Sequence, residues 1–334
     1  MGFINQHRDR FGVEPICDTL QVAPSTYYAA LSRPPSARQQ RDRELKVEIA
    51  RVHQDNFDVY GTEKVWKQLR RESIQVGRDR VGRLMADLEL AGVVRGKTWR
   101  TTIPSNAGER PADQVDRNFT ATAPNRLWVA DLTYVSTWPG VVYTAFVTDV
   151  FSRYIVGWKV STNLRAELAL DALEMAIWSR GTTDLRVLVH HSDRGVQYLA
   201  SRYTERLADA GAVCLVGSRG DSYDNALAES VIGLYKTELI RKRGPWRSFE
   251  QLELATARWV EWYNQRRLHS SIGDVPPAEF ESTYYREHTA SAVAWKPNGE
   301  VSKKLRAIQR FYTGPGFVFE MVRADRKRNG QQTV

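Results

Sequence analysis

The sequence predicts an α/β core, a mixed five-stranded sheet with flanking helices, preceded by all-α modules. Three observations predict it. Between residues 13 and 95 apolar residues recur at i, i+3, i+4 and i+7, the stripe of amphipathic helices. From about residue 123 that pattern gives way to β-branched and aromatic runs separated by turn residues. Those runs then alternate with helical segments in the order βββαβαβα.

The elements follow in order. Val13, Ile16, Cys17 and Leu20 make one helical stripe, Gln21-Val22-Ala23 a short turn, and Pro24-Ser25-Thr26 the start of a second helix carrying Tyr27, Tyr28 and Leu31. This reads as a helix-turn-helix over residues 1–35, or as a generic helical hairpin. Arg33-Pro34-Pro35-Ser36 breaks the pattern. A second helix-turn-helix module spans 36–95, with Leu45, Ile49 and Val52 on its first helix and Val65 and Leu69 on its second. Its third helix has Val81, Leu84, Met85 and Leu88 on one side, Arg83 opposite and Arg80 on the flank. Such a helix suits a DNA major groove, where Arg80 and Arg83 would meet phosphates or guanine edges. Solvated surface arginines are the alternative. Residues 96–122, polar and without period, read as a linker.

In the core, runs at 127–136, 141–150 and 154–160 predict an antiparallel meander turning at Trp138-Pro139-Gly140 and Phe151-Ser152-Arg153. A helix over about 165–179 follows. Next comes an apolar run from Leu185 to Val189, read as a buried strand that carries Asp193 at its C-terminal tip. A helix over 200–210, a short strand through Val213-Cys214-Leu215-Val216, and a helix carrying Glu229 complete the order. An aromatic-rich helix over 249–264 ends in Trp259, Trp262 and Tyr263, and Arg266, Arg267 and His269 follow it.

Composition excludes some classes. With 42% hydrophobic residues and no apolar run near the roughly 20 residues that span a bilayer, no membrane association is expected. MGFINQHRDRFG lacks the apolar core of a signal peptide, and two cysteines suit a reducing interior, so a cytoplasmic protein is expected. The net charge of +9 divides unevenly: +4 over residues 1–120, −2 over 121–240 and +7 over 241–334. An acidic middle between basic flanks fits a metal-binding centre whose neighbours hold a polyanion.

Three acids stand out. Asp131 is a lone acid inside the β-rich run LWVADLTYV, where desolvating a charge is costly unless it binds something. Asp193 and Glu229 are the other two. At 100° per residue Asn225, Glu229, Gly233, Lys236 and Ile240 share a helix face, with Leu227, Val231 and Leu234 opposite. Gly233 on that face admits close approach by DNA or by another helix. Carboxylates are hard donors suited to Mg²⁺, and two such ions about 4 Å apart assist in-line displacement at phosphorus. Zinc is not expected, because His190 and His191 point to opposite strand faces and no Cys/His spacing suits a closed site. Asp149, Asp221 and Asp224 are weaker ligand candidates; Asp221 suits a turn and Asp224 a helix start.

Asp131, Asp193 and Glu229 resemble the catalytic triad of DDE transposases and retroviral integrases. Thirty-five residues separate Asp193 from Glu229, the spacing of the integrase-like branch, and Lys236 takes the basic position seven residues on. WVADLTYV, HHSDRGVQY, SYDNALAES and WYNQRRLHSSIGDVPPAEF resemble OrfB-type transposases of bacterial insertion sequences, over about residues 13–285.

The resemblance implies a ribonuclease-H-like catalytic domain over 123–285, in which the first and fourth strands are neighbours and bring Asp131 beside Asp193. It implies a transposase that frees a 3′-hydroxyl at an element end and joins it to a second phosphodiester. Asp131, Asp193 and Glu229 would be catalytic residues and ligands of two Mg²⁺ ions, with Mn²⁺ a workable substitute. Lys236 would touch a phosphate. Asn225 would contact ligand or DNA unless its role is structural, and Arg266 and Arg267 a phosphate unless they only complement a helix dipole. Expected partners are double-stranded DNA, as element terminal repeats and target, further copies of the chain in a synaptic complex, and an upstream DNA-binding protein or fusion. A catalytically silent DNA-binding protein or repressor is the alternative. Residues 286–334 form a basic tail, either a DNA-contacting arm or an extension without function.

Overall fold

The computed structural model describes residues 1–94, 121–181, 185–192, 201–216 and 226–294. Its first three helices are α1 (Gly2–Phe11), α2 (Val13–Thr19) and α3 (Pro24–Ser32). They close over a small core of Ile4, Ile16, Cys17 and Tyr27. The turn between α2 and α3 is as expected, but α1 was not anticipated. Its one buried residue, Ile4, leaves no apolar stripe to read.

Three longer helices form the second module: α4 (Ala37–Asp55), α5 (Thr62–Arg71) and α6 (Arg78–Asp87). A capping box starts α4, in which the Ser36 hydroxyl accepts from the Gln39 N–H and the Gln39 side chain accepts from the Ser36 N–H. The apolar stripes of all three helices are buried together.

The sheet has order β3-β2-β1-β4-β5. Strands β1 (Leu127–Thr137), β2 (Gly140–Asp149) and β3 (Ile155–Ser161) form the antiparallel meander. Helix α7 (Ala166–Arg180) packs so closely on β3 that a Cβ at Gly157 would run into the Ala172 carbonyl; glycine is required there. Strand β4 (Val189–Ser192) then pairs parallel to β1. It is shorter than expected, because 185–188 form a turn, closed by Leu188 N–H on Leu185 O at 2.8 Å, that buries both leucines. Helix α8 (Ser201–Asp209) leads to β5 (Val213–Val216), parallel to β4.

Helix α9 (Ala226–Leu234) runs into a π-helical turn (Tyr235–Ile240) and a short α10 (Arg241–Arg243). Helix α11 (Phe249–Gln265), a 3₁₀ turn (Ser270–Ile272) and α12 (Pro277–Ala294) follow. The boundary expected at residue 285 falls inside α12. Glu281 anchors that helix, paired twice at 2.7 Å with Arg180 in a buried cluster that includes Asp149.

The second helical module is not a loose appendage. Its core is continuous with that of the sheet, α9 and α11. Polar contacts seal the junction: Trp262 Nε1 donates to Asn56 Oδ1 at 3.1 Å, and Leu268 N–H to the Tyr60 hydroxyl at 2.8 Å. Lys67 pairs with Asp274 at 2.8 Å and Arg243 with Asp58 at 3.0 Å.

Candidate catalytic site and nucleic-acid interface

Side chains alternate across β1, and the alternation sorts its residues between two layers. Trp128 and Ala130 are buried in the α7 layer. Val129 turns the other way and packs with Ala228 of α9 and Val150. Further along that face Val135 joins Val231, Ile232 and Tyr235 in the main core. Asp131 lies between Val129 and Val135 on this same face, so it shares a layer with α9. It is partly exposed, and its Oδ1 accepts from the Leu132 N–H at 2.7 Å. Glu229 directly follows Ala228 and is exposed.

The parallel register pairs Leu127 with Val189 and Ala130 with Ser192. Strand β4 therefore ends one residue before Asp193, beside the residue that precedes Asp131. Asp193 lies outside the described residues, as do Asn225, Asp221 and Asp224. Among the described residues no three His, Cys, Asp or Glu side chains converge on a metal-sized site.

His190 is buried against Tyr203, whose hydroxyl lies 3.0 Å from Nε2, and burial lowers its pKa to about 3. It is a neutral core histidine. Asp149 is equally enclosed. It accepts from the N–H groups of Asn125 at 2.7 Å and Phe151 at 2.9 Å, and burial with Glu281 nearby pushes its carboxyl up to about 6. Its oxygens serve the β2–β3 turn and the Arg180 cluster rather than a metal.

Lys236 sits in the π-helical turn with Nζ 5.0 Å from the centre of the Tyr134 ring, which stands 63% exposed on β1. The face expected to continue from Glu229 to Ile240 ends here, because Ile240 turns in against the main core. A π turn shifts the helical phase, and internal partners accompany it. The Thr237 hydroxyl donates to Gly233 O at 2.7 Å, the Tyr235 hydroxyl meets Thr256 Oγ1 at 2.8 Å, and Glu238 is buried against Arg267.

The arginines divide. Arg266 is exposed at the end of α11. Arg267 is 5% exposed, and its Nε and Nη2 donate to the Glu238 carboxylate at 2.9 and 2.6 Å. A guanidinium spent in this way inside the protein is a poor phosphate ligand, so the expected DNA contact is corrected to a structural role. Arg80 and Arg83 both donate to Asp42, at 2.7 Å each, and stay at the surface of α6. That bridge lowers the Asp42 pKa through hydrogen bonds from Arg83 and Arg80. Sequence periodicity gave no sign of Asp42, whose partners lie about forty residues away on another helix. Tyr134 was equally unmarked, being an ordinary outward position in a strand.

The sheet order, with helices on both sides, is that of an integrase-type core. Comparison with known proteins agrees. The integrase core domain family matches residues 121–222 and again 211–277, and an HTH-like domain matches residues 39–98. The chain is 56% identical over 276 residues to the transposase assigned to insertion sequence element IS986/IS6110 of Mycobacterium tuberculosis, covering 82% of this chain and 99% of that one. It is 51% identical over 290 residues to the transposase of insertion sequence element IS629 from Shigella sonnei, covering 85% and 96%. Among solved structures it resembles the HTLV-2 integrase catalytic core domain in complex with magnesium, with TM-score 0.39 and 16% identity over 48% of this chain and 98% of that one. The chain belongs to the insertion-sequence transposases with an integrase core domain. It is a transposase, a polynucleotidyl transferase by class. Among the described residues no helix is long and apolar enough to cross a membrane.

Proposed function

We propose that this transposase cuts and joins DNA strands by metal-dependent phosphoryl transfer, using Asp131, Asp193 and Glu229. One observation carries the reading. Helix α9 packs on the face of β1 that bears Asp131 and sets Glu229 next to the contact residue Ala228. Extending the β1–β4 register by one step would bring Asp193 beside Asp131. The donor set fits the ion: carboxylate oxygens are the hard ligands Mg²⁺ prefers, and Asp131 and Glu229 both reach solvent. When bound, two Mg²⁺ ions, or Mn²⁺ in their place, would supply charge stabilisation to the attacking and leaving oxygens.

The protein's own groups position the substrate. Lys236, steered by Tyr134, would hold a phosphate as a point charge, with Asn225, just before α9, and Arg266, at the end of α11, as further DNA contacts. Arg80 and Arg83 would read or anchor element-end DNA from α6, once released from or shared with Asp42. We read 1–35 and 36–95 as DNA-binding modules, 96–122 as linker, the catalytic domain from 123 through its C-terminal helix α12, and the residues after α12 as a basic tail. Two ends must be held together, so the working form is a multimer on double-stranded DNA, acting in the cytoplasm, with an upstream DNA-binding protein as a further partner.

The test is strand joining on labelled terminal DNA with Mg²⁺. Glu229→Gln keeps shape and removes charge; it should abolish joining while leaving DNA binding intact. Equal joining by both proteins rejects the mechanism.

A further inference from the structure

A cleft of about 380 Å³ opens between α9, the start of β1, the β2–β3 turn and the residues around the 3₁₀ turn, with Val129, two residues before Asp131 on β1, in its wall. Val129 and Leu227 give it apolar walls, and Ser230 lines it from α9. Its size matches a ligand of one nucleotide unit rather than a helix or a strand pair.

Arg153 lines the cleft from the β2–β3 turn, and three features of it ask for a reason. Its backbone has φ +67°, a conformation that favours glycine and is unusual for a long side chain. Its Nε is buried without a hydrogen-bond partner. The acid nearest in sequence, Asp149, is taken up by backbone N–H groups and lies 3.7 Å from Arg180. The other basic residue of the lining, His269, has its ring nitrogens directed inward, to Tyr263 O at 3.4 Å and Arg267 Nη1 at 3.3 Å. Among the described residues Arg153 is therefore the cation of the cleft. A strained backbone and a buried, unpartnered guanidinium nitrogen persist at functional positions where a ligand completes the arrangement.

We propose that this cleft binds one backbone phosphate of the DNA strand, held by the Arg153 guanidinium, with the attached nucleoside against Val129 and Leu227. The inference rests on the strand-transfer reading for its ligand class. Arg153 is a positioning residue here: it fixes one phosphate of the bound strand and takes no part in bond making.

Arg153→Gly tests this cleanly, since glycine accepts φ +67° and the fold is expected to stay at least as stable as wild type. Binding of a fluorescent duplex bearing the element's terminal repeat is measured across a salt series. The variant should bind on the order of 10-fold more weakly, and the slope of log K against log salt should fall by about 0.9, one phosphate contact. Arg153→Lys should recover the slope, which a merely structural role would not produce. A duplex with one neutral methylphosphonate at the contacted position should weaken wild type and leave Arg153→Gly unaffected. Unchanged affinity and slope in Arg153→Gly overturn the proposal, as does an equal methylphosphonate penalty for both proteins at every position. Glu229→Gln, run alongside, keeps the two claims apart. If it joins strands normally the catalytic reading fails, whereas the Arg153 result is a binding measurement and fails independently.

Discussion

Truncating Arg267 should be one of the most destabilising single changes in the catalytic domain, and truncating its neighbour Arg266 should barely register. The two residues are adjacent and chemically identical, so the contrast comes from structure alone. Arg267 and Glu238 have side chains 6% and 8% exposed, joined by bonds of 2.9 and 2.6 Å. Arg267 Nη1 also donates to Leu268 O at 3.3 Å. Arg267→Ala leaves the Glu238 carboxylate buried and unpaired, which costs about 3–5 kcal/mol. Loss of packing against the Trp262 and Tyr263 rings adds to this. At roughly 2–4 °C per kcal/mol for a domain of this size, the melting temperature should fall by about 10 °C. Arg266→Ala, at an exposed helix end, should stay within about 0.5 kcal/mol. Urea unfolding followed by tryptophan fluorescence measures both. The companion variant Arg267→Met with Glu238→Leu should regain most of the loss, because a buried ion pair replaced by apolar groups of similar volume is often neutral. An Arg267→Ala protein as stable as wild type, or a double variant no better than the single, would refute the reasoning.

Two further outcomes are expected. Stability should fall between pH 7 and pH 5. His190 and His269 have folded pKa values lowered by burial to about 3 and about 2, so the stability they confer is present above about 6.5 and is lost as pH falls. From the linkage relation that loss is roughly 2 kcal/mol for each at pH 5. Asp149, raised to about 6, opposes it, since its contribution is present at low pH and disappears as pH rises through that value. The opposing gain is about 1 kcal/mol, leaving a net loss of roughly 2–3 kcal/mol. A urea midpoint that holds steady or rises at pH 5 contradicts this assignment. Separately, Asp42→Asn should cost little stability, because the Arg80 and Arg83 side chains remain at the surface, where water can replace the lost partner. It should tighten binding of terminal DNA several-fold by releasing both guanidinium groups, and unchanged affinity in a gel-shift titration would return α6 to a scaffolding role.

Much of this architecture was legible before any coordinates. The β-rich run around Trp128-Val129-Ala130-Asp131, with its lone acid, marks a strand, and the stripes through Leu45 and Val81 mark helices whose apolar sides are buried as expected. The hidden parts share one cause: they depend on partners distant in sequence. Periodicity cannot distinguish Arg266 from Arg267, because the burial of one is set by Glu238, 29 positions earlier. The π turn depends on side-chain bonds from Tyr235 and Thr237, so a constant 100° step carried the Glu229 face too far, to Ile240. The run from Leu185 to Val189 has a strand's composition, yet burial of Leu185 and Leu188 around a turn satisfies the same hydrophobicity. Nor does any local pattern show that Asn56 and Tyr60 of the helical module close onto Trp262 and Leu268 of the core.

In the proposed mechanism the carboxylates act by placing divalent ions on the phosphate being transferred. Replacing a non-bridging oxygen of that phosphate with sulfur probes it directly, because sulfur is a soft ligand that Mg²⁺ accepts poorly and Mn²⁺ accepts better. Strand joining on the phosphorothioate substrate should drop sharply in Mg²⁺ and return in Mn²⁺ for one sulfur stereoisomer. A sulfur effect of the same size in both metals would contradict the account.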